Sequence, residues 1–131
     1  MDEFPAEFWQ GIATFNQGEY YACHDLLEAL WIEAVEPEKT LYQGILQIAV
    51  ALYHLDNLNW RGAVILLGEG LHRLSRYPDE YDTIDLGQLR TDAAQTLSKL
   101  QSIDETTWAE SGAILSTEIP RPIVQKVPSS L

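Results

Sequence analysis

Apolar residues recur along this chain at three- and four-residue intervals, the signature of helices with one buried face. Between residues 5 and 16, Phe8, Trp9, Ile12 and Phe15 form one stripe, and Pro5 suits the first position of a helix. Gly18 suits the left-handed position that closes it. A second helix is predicted from about Glu19 to Ala34, with Glu19 complementing the dipole at its start. Val35 to Thr40 turns the chain, and Pro37 and Glu38 suit the first turn of a third helix ending near Asp56 or Asn57. Asn59 is a good N-cap for a fourth helix, Trp60 to about Arg76, with Val64, Leu67, Leu71 and Leu74 on one face.

Pro78 stops the pattern. Asp85 followed by Gln88 is an aspartate form of the capping box, opening a fifth helix, Leu86 to about Gln101, with Leu86, Leu89, Ala93, Leu97 and Leu100 inward. Trp108 is expected on a short turn. Three prolines from Ile119 onwards predict an extended or flexible tail over 119–131, with Ile119, Ile123 and Val127 as candidate anchors. No segment keeps a period of two. The expected fold is all-α: antiparallel helical hairpins, about five helices, in a single domain over residues 1–118.

Matching pairs recur 40 residues apart, as in Ile12/Leu52, Phe15/Leu55, Tyr20/Trp60, Leu26/Leu66 and Leu27/Leu67. The period is off the ~34 of tetratricopeptide helix pairs, so this is a helix-hairpin signal and nothing stronger.

Composition narrows the class. At 131 residues and 46% hydrophobic, the chain can bury a core. The lone Cys23 allows no internal disulfide and fits a reducing compartment. Met1-Asp2-Glu3-Phe4-Pro5 lacks the basic and apolar regions of a secretory signal, and no apolar run approaches a membrane span, so a cytoplasmic protein is expected. The net charge is −12. Residues 1–60 hold ten acids against Lys39 alone, a net of −9, and the remainder a net of −3. That charge disfavours nucleic acid and anionic lipid, leaving a protein partner or small molecule.

Candidate chemistry lies on the second and third helices. His24 and Glu28 are one turn apart and share a face, with Trp31 along the same stripe. At ~100° per residue, Gln43, Gln47, Val50 and His54 fall in one narrow arc of the third helix. A short hairpin turning near residues 37–38 sets opposite one another positions whose numbers sum to about 75. Glu28 then lies level with Gln47, His24 within a turn of His54, and Trp31 next to Gln43, so the polar lines can meet along one groove. Asp25 diverges from His24 by ~100° and is expected to point off that face. The same divergence argues against a Cys23–His24 dyad and leaves Cys23 as a small core residue.

These polar residues have three readings. They can simply satisfy one another structurally. His24, Glu28 and His54 offer two imidazoles and a carboxylate to zinc or non-haem iron, although no known ligand spacing is present. The same three can do acid–base catalysis, with Glu28 as base and His24 or His54 as partner. Gly62, Gly68 and Gly70 are expected to mark close helix packing. Arg61 is expected either to pair with Asp56 or an acid of the second helix, or to stand as a solvated surface arginine.

Phe15-Asn16-Gln17-Gly18-Glu19-Tyr20-Tyr21-Ala22-Cys23-His24-Asp25-Leu26-Leu27-Glu28-Ala29-Leu30-Trp31, followed by Tyr42, Gln43, Gly44, Gln47, His54, Asn59, Gly62 and Ala63, resembles domain-of-unknown-function family 309. The likeness covers about residues 5–77. It implies a small fold of packed helical hairpins and no assigned activity or cofactor. It makes His24, Asp25, Glu28, Trp31, Gln43, Gln47 and His54 the positions to test. Where the family often has Glu after the histidine, this chain has Asp25. Where an arginine often precedes the Tyr-Gln-Gly segment, it has Lys39-Thr40. The expected function is a non-enzymatic interaction or adaptor module. The alternative is a metal-dependent or acid–base enzyme, hydrolase-like, using His24, Glu28 and His54.

Overall fold

The computed structural model describes residues 4–127. Among these, six α-helices follow one another: α1 (Ala6–Asn16), α2 (Tyr20–Glu33), α3 (Glu38–Asp56), α4 (Trp60–Leu74), α5 (Leu86–Gln101) and α6 (Glu105–Leu115). The fold is all-α apart from a small hairpin of β1 (Glu80–Tyr81) and β2 (Ile84–Asp85). α3 is the central helix, packed on α2 and on α4, while α1 packs on α2 and α5 on α4. Its Leu41, Ile45, Ile48, Ala49, Leu52 and Leu55 are wholly buried. Burying that many apolar side chains, at ~1.5–3 kcal/mol for each large one, makes α3 the chief source of cohesion.

Local signals set the helix ends. The Asn59 side chain accepts from Gly62 N at 3.0 Å, and Asp85 accepts from Gln88 N at 2.9 Å, as expected of N-caps. Gly18 has φ +81°, the left-handed exit from α1. Helices α3 and α4 cross closely where both lack side chains. A Cβ on Gly70 would lie 2.8 Å from Ile48 Cγ1 and 2.9 Å from Gly44 O, and one on Gly44 would lie 2.7 Å from Leu74 Cδ2. Gly68 does not share this role, since nothing lies within 4 Å of the corresponding point.

The hairpins α1–α2 and α3–α4 repeat more closely than the paired residues alone suggest. Residues 11–19 and 51–59 have the same order of buried, half-buried and exposed positions. Each turn has its left-handed residue at the equivalent place: Gly18, and Leu58 at φ +62°.

Two features depart from the sequence expectation. Trp108 lies in a full helix, α6, and not on a short turn. Asp104 caps that helix by accepting from Thr107 N at 2.7 Å, and Trp108 Nε1 donates to Leu58 O at 2.9 Å. Asp82 and Thr83, both at positive φ, form the two-residue turn joining β1 to β2.

Residues 119–127 run extended and are held to the helices. Asn16 donates to Val124 O at 2.9 Å and accepts from Val124 N at 2.8 Å. Arg121 pairs with Asp56 at 2.9 Å, and Lys126 Nζ lies 4.4 Å from the Trp9 ring. Ile119 is a buried anchor, but the second is Val124 and not Ile123, which is exposed. Val127 is half-buried, and residues 128–131 lie outside the described part, as do Met1–Glu3.

Candidate functional site

Helices α2 and α3 enclose a groove to which α1 contributes no lining residue. Two hollows open along it. The first, about 120 Å³, is lined by Tyr20, Tyr21, His24, Val50, Tyr53 and His54. The second, about 230 Å³, is lined by Glu28, Trp31, Gln43, Leu46, Gln47, Val50 and Leu66, the last from α4. Val50 borders both, so the hollows adjoin. The arc of Gln43, Gln47, Val50 and His54 faces the stripe of His24, Glu28 and Trp31. His24 and His54 share one hollow, and Glu28, Trp31, Gln43 and Gln47 share the other.

The hydrogen bonds within this face are specific. His24 Nδ1 lies 3.2 Å from Asp25 Oδ1 and Nε2 lies 3.8 Å from Glu28 Oε2, so a carboxylate stands at each ring nitrogen. Asp25 therefore does reach His24, against the helical-wheel expectation. The wheel fixes only the Cα–Cβ directions, and exposed side chains can curl across the ~100° between them. His54 Nδ1 lies 3.2 Å from Asn59 Nδ2. The Asn59 oxygen is already engaged as the cap of α4, which fixes its amide so that Nδ2 donates to His54 Nδ1. A neutral His54 therefore carries its hydrogen on Nε2. Gly62 makes room for this ring, because a Cβ there would lie 2.9 Å from His54 Cγ.

Gln47 turns towards α4: its amide donates to Glu69 Oε1 at 3.1 Å and accepts from Arg73 at 3.2 Å. Trp31 packs against the core, and its buried Nε1 has no acceptor among the described residues. Lys39 Nζ stands 5.0 Å over the Trp31 ring and donates to Trp31 O at 2.8 Å, so it is the cation beside the Tyr-Gln-Gly segment in this chain. Arg61 pairs with neither Asp56 nor an acid of α2. It meets Glu105 of α6 at 3.1 Å, while Asp56 takes Arg121.

Cys23 is wholly buried, and burial pushes its thiol up to about 12, which suits a core residue and not a nucleophile. Among the described residues no three His, Cys, Asp or Glu side chains are grouped to hold an ion, and His54 engages Asn59 and not the His24–Glu28 pair.

Two exposed aromatic lining residues were missed by sequence reasoning. Tyr21 and Tyr53 are 60% and 39% exposed, with ring centroids 5.6 Å apart across the mouth of the first hollow. Tyr21 also stacks on His24 at 5.9 Å. Their signal was a large aromatic next to a stripe residue in each helix, at positions the helix faces leave towards solvent.

A protein of Aquifex aeolicus (strain VF5), an uncharacterized protein by its description, is 28% identical over 78 residues, covering 59% of this chain and 23% of that one. Uncharacterized protein YpuF of Bacillus subtilis (strain 168) is 32% identical over 88 residues, covering 66% of this chain and 48% of that one. The chain thus spans less than half the length of either relative. The family likeness read from the residues holds: over residues 8–66, which include every residue lining the two hollows, the chain matches the family described as domain of unknown function (DUF309).

Proposed function

We propose that this protein is a helical interaction module whose docking face is the groove between α2 and α3. The observation that carries this reading is the pair of adjoining hollows meeting at Val50, with the Tyr21–Tyr53 pair exposed at the mouth of the first. Large aromatics held on rigid helices beside an apolar recess are what a partner's side chains dock against at little entropic cost. The His24–Glu28 pair supports the same reading. It lies at the rim, half-exposed, where no packing requirement explains it.

Titration of 15N-labelled protein with helix-forming peptides of differing charge tests this. Resonance changes should be confined to the faces of α2 and α3 around Tyr21, Val50 and Tyr53. No change with any peptide, or changes centred elsewhere, would refute the reading.

Acid–base catalysis is the second reading, favoured by His24 and His54 lining one hollow from opposite helices. It requires His54 Nε2 to face a reacting group. His54→Gln would then abolish any turnover found while leaving peptide-induced shifts at Tyr21 in place.

A further inference from the structure

Resting on the docking reading, we infer that the occupant of the α2–α3 groove is a basic amphipathic helix of a partner protein, its apolar side chains seated in the two hollows and its Lys or Arg residues facing Asp25 and Glu28. The charge on this face is one-sided. Asp25 and Glu28 are 62% and 47% exposed and stand on the α2 rim with only His24 beside them. Glu69 stands on the α4 side, bonded to Gln47. The cations nearby are already engaged: Lys39 with the Trp31 ring and carbonyl, Arg73 with Gln47. Lys39 is also the sole base of the first sixty residues, and the tail bases that reach this half are engaged elsewhere, Arg121 with Asp56 and Lys126 over the Trp9 ring, so among the described residues no Lys or Arg pairs with Asp25 or Glu28. An occupant with a basic flank is drawn in by these carboxylates and an acidic one repelled.

The form of the hollows points to a helix. The first is lined by Tyr20 to His24 and Val50 to His54, the second by Glu28 to Trp31 and Gln43 to Val50, an offset of ~8–11 Å along the two helices that brackets the ~10.5 Å rise of seven helical residues. Apolar residues at i and i+7 of a docked helix have that same spacing and face one side. Val50, which borders both, is apolar, as are Leu46 and Leu66 of the second hollow, which suits the strip joining two such anchors.

The test uses two synthetic helix-forming peptides of ~18 residues, with Leu at i, i+3 and i+7 and flanks of Lys in one and Glu in the other, titrated by calorimetry at low and high salt. The Lys peptide should bind at least tenfold more tightly than the Glu peptide at low salt, and the gap should narrow as salt rises. Asp25→Asn with Glu28→Gln should remove most of that gap without changing the circular dichroism spectrum. Equal affinity for both peptides, or a preference that survives the double substitution, would overturn the basic partner while leaving the docking face standing. Failure of both peptides to bind, with no shifts at Tyr21 or Tyr53, would overturn the docking face itself.

Discussion

The hairpins α1–α2 and α3–α4 bury equivalent residues at Phe8/Ile48, Ile12/Leu52, Phe15/Leu55, Cys23/Ala63 and Leu27/Leu67, and differ at the positions of α2 that line the groove. Leu27 and Leu67 are equivalent and both wholly buried, as are Phe15 and Leu55. The residues equivalent to His24, Asp25, Glu28 and Trp31 are Val64, Ile65, Gly68 and Leu71. The second hairpin thus occupies the same frame without an imidazole, a carboxylate or an indole at these places. Trp31 and its equivalent Leu71 both pack against the core, so that place serves the frame in each hairpin. His24, Asp25 and Glu28 have no polar counterpart in the frame of α3–α4, and the proposed docking role rests on that contrast. The comparison also separates two ways of making one turn. Gly18 takes the left-handed conformation freely, whereas Leu58 takes it at a cost and is held by α6, whose Trp108 bonds its carbonyl.

The largest effects should fall where the hairpins agree. Leu27→Ala and Leu67→Ala should each destabilise by ~2–5 kcal/mol in chemical denaturation, because both leave a cavity in a sealed core. A loss under ~1 kcal/mol at either position would mean that the two frames are not energetically equivalent.

Alkaline sensitivity should come next, with Cys23 and Tyr20 of the first hairpin contributing a large part of it. Burial raises Cys23 from 9.0 to about 12 and Tyr20 from 10.0 to about 12. A thiol or phenol whose pKa is raised by folding keeps its full contribution below the unfolded value and loses it as pH climbs to the folded one. Thermal stability should therefore fall between about pH 9 and 12. The second hairpin has Ala63 and Trp60 at these places, which do not titrate there. Cys23→Ala with Tyr20→Trp should flatten much of the fall. The remainder belongs to groups such as Tyr81, raised to about 12 by burial and by its bond to Glu38. An unchanged alkaline profile would count against this assignment.

The turns give a smaller, opposed pair. Gly18→Ala should cost ~1–2 kcal/mol, since nothing crowds the site and only backbone conformation is at stake. Leu58→Gly should relieve comparable strain, less the packing of a half-exposed side chain. Denaturation midpoints moving in the same direction for both would contradict the equivalence of the turns. The smallest effect should be at the rim. His24→Val with Glu28→Ala should shift stability by no more than ~0.5 kcal/mol, as exposed pairs do. A loss above 2 kcal/mol would return these residues to a structural role.

Much of the frame was legible in the residues because helix stripes and end signals are local. Asn59, Asp85 and Gly18 fix their ends with bonds or dihedrals spanning three residues or fewer, and α5 has the predicted bounds. Helix α6 was not legible, since only Trp108 and Gly112 of its face are buried and no stripe forms. Strands of two residues cannot show a period. At the site, the helical wheel placed Gln43, Gln47, Val50 and His54 on one line, and that line does border the groove. The wheel carries no information about partners distant in sequence. The bonds of Gln47 to Glu69 and Arg73, and of Arg61 to Glu105, arise from how α4 and α6 pack, and no local pattern encodes them.

The docking face is tested most directly by Tyr21→Ser with Tyr53→Ser, two exposed residues whose loss leaves the core intact. Calorimetric titration of the Lys-flanked helical peptide should then show at least a tenfold loss of affinity, as expected for aromatic anchors at the centre of an interface, with an unchanged melting temperature. Undiminished affinity in the folded double variant would contradict the assignment of the α2–α3 groove as the binding face.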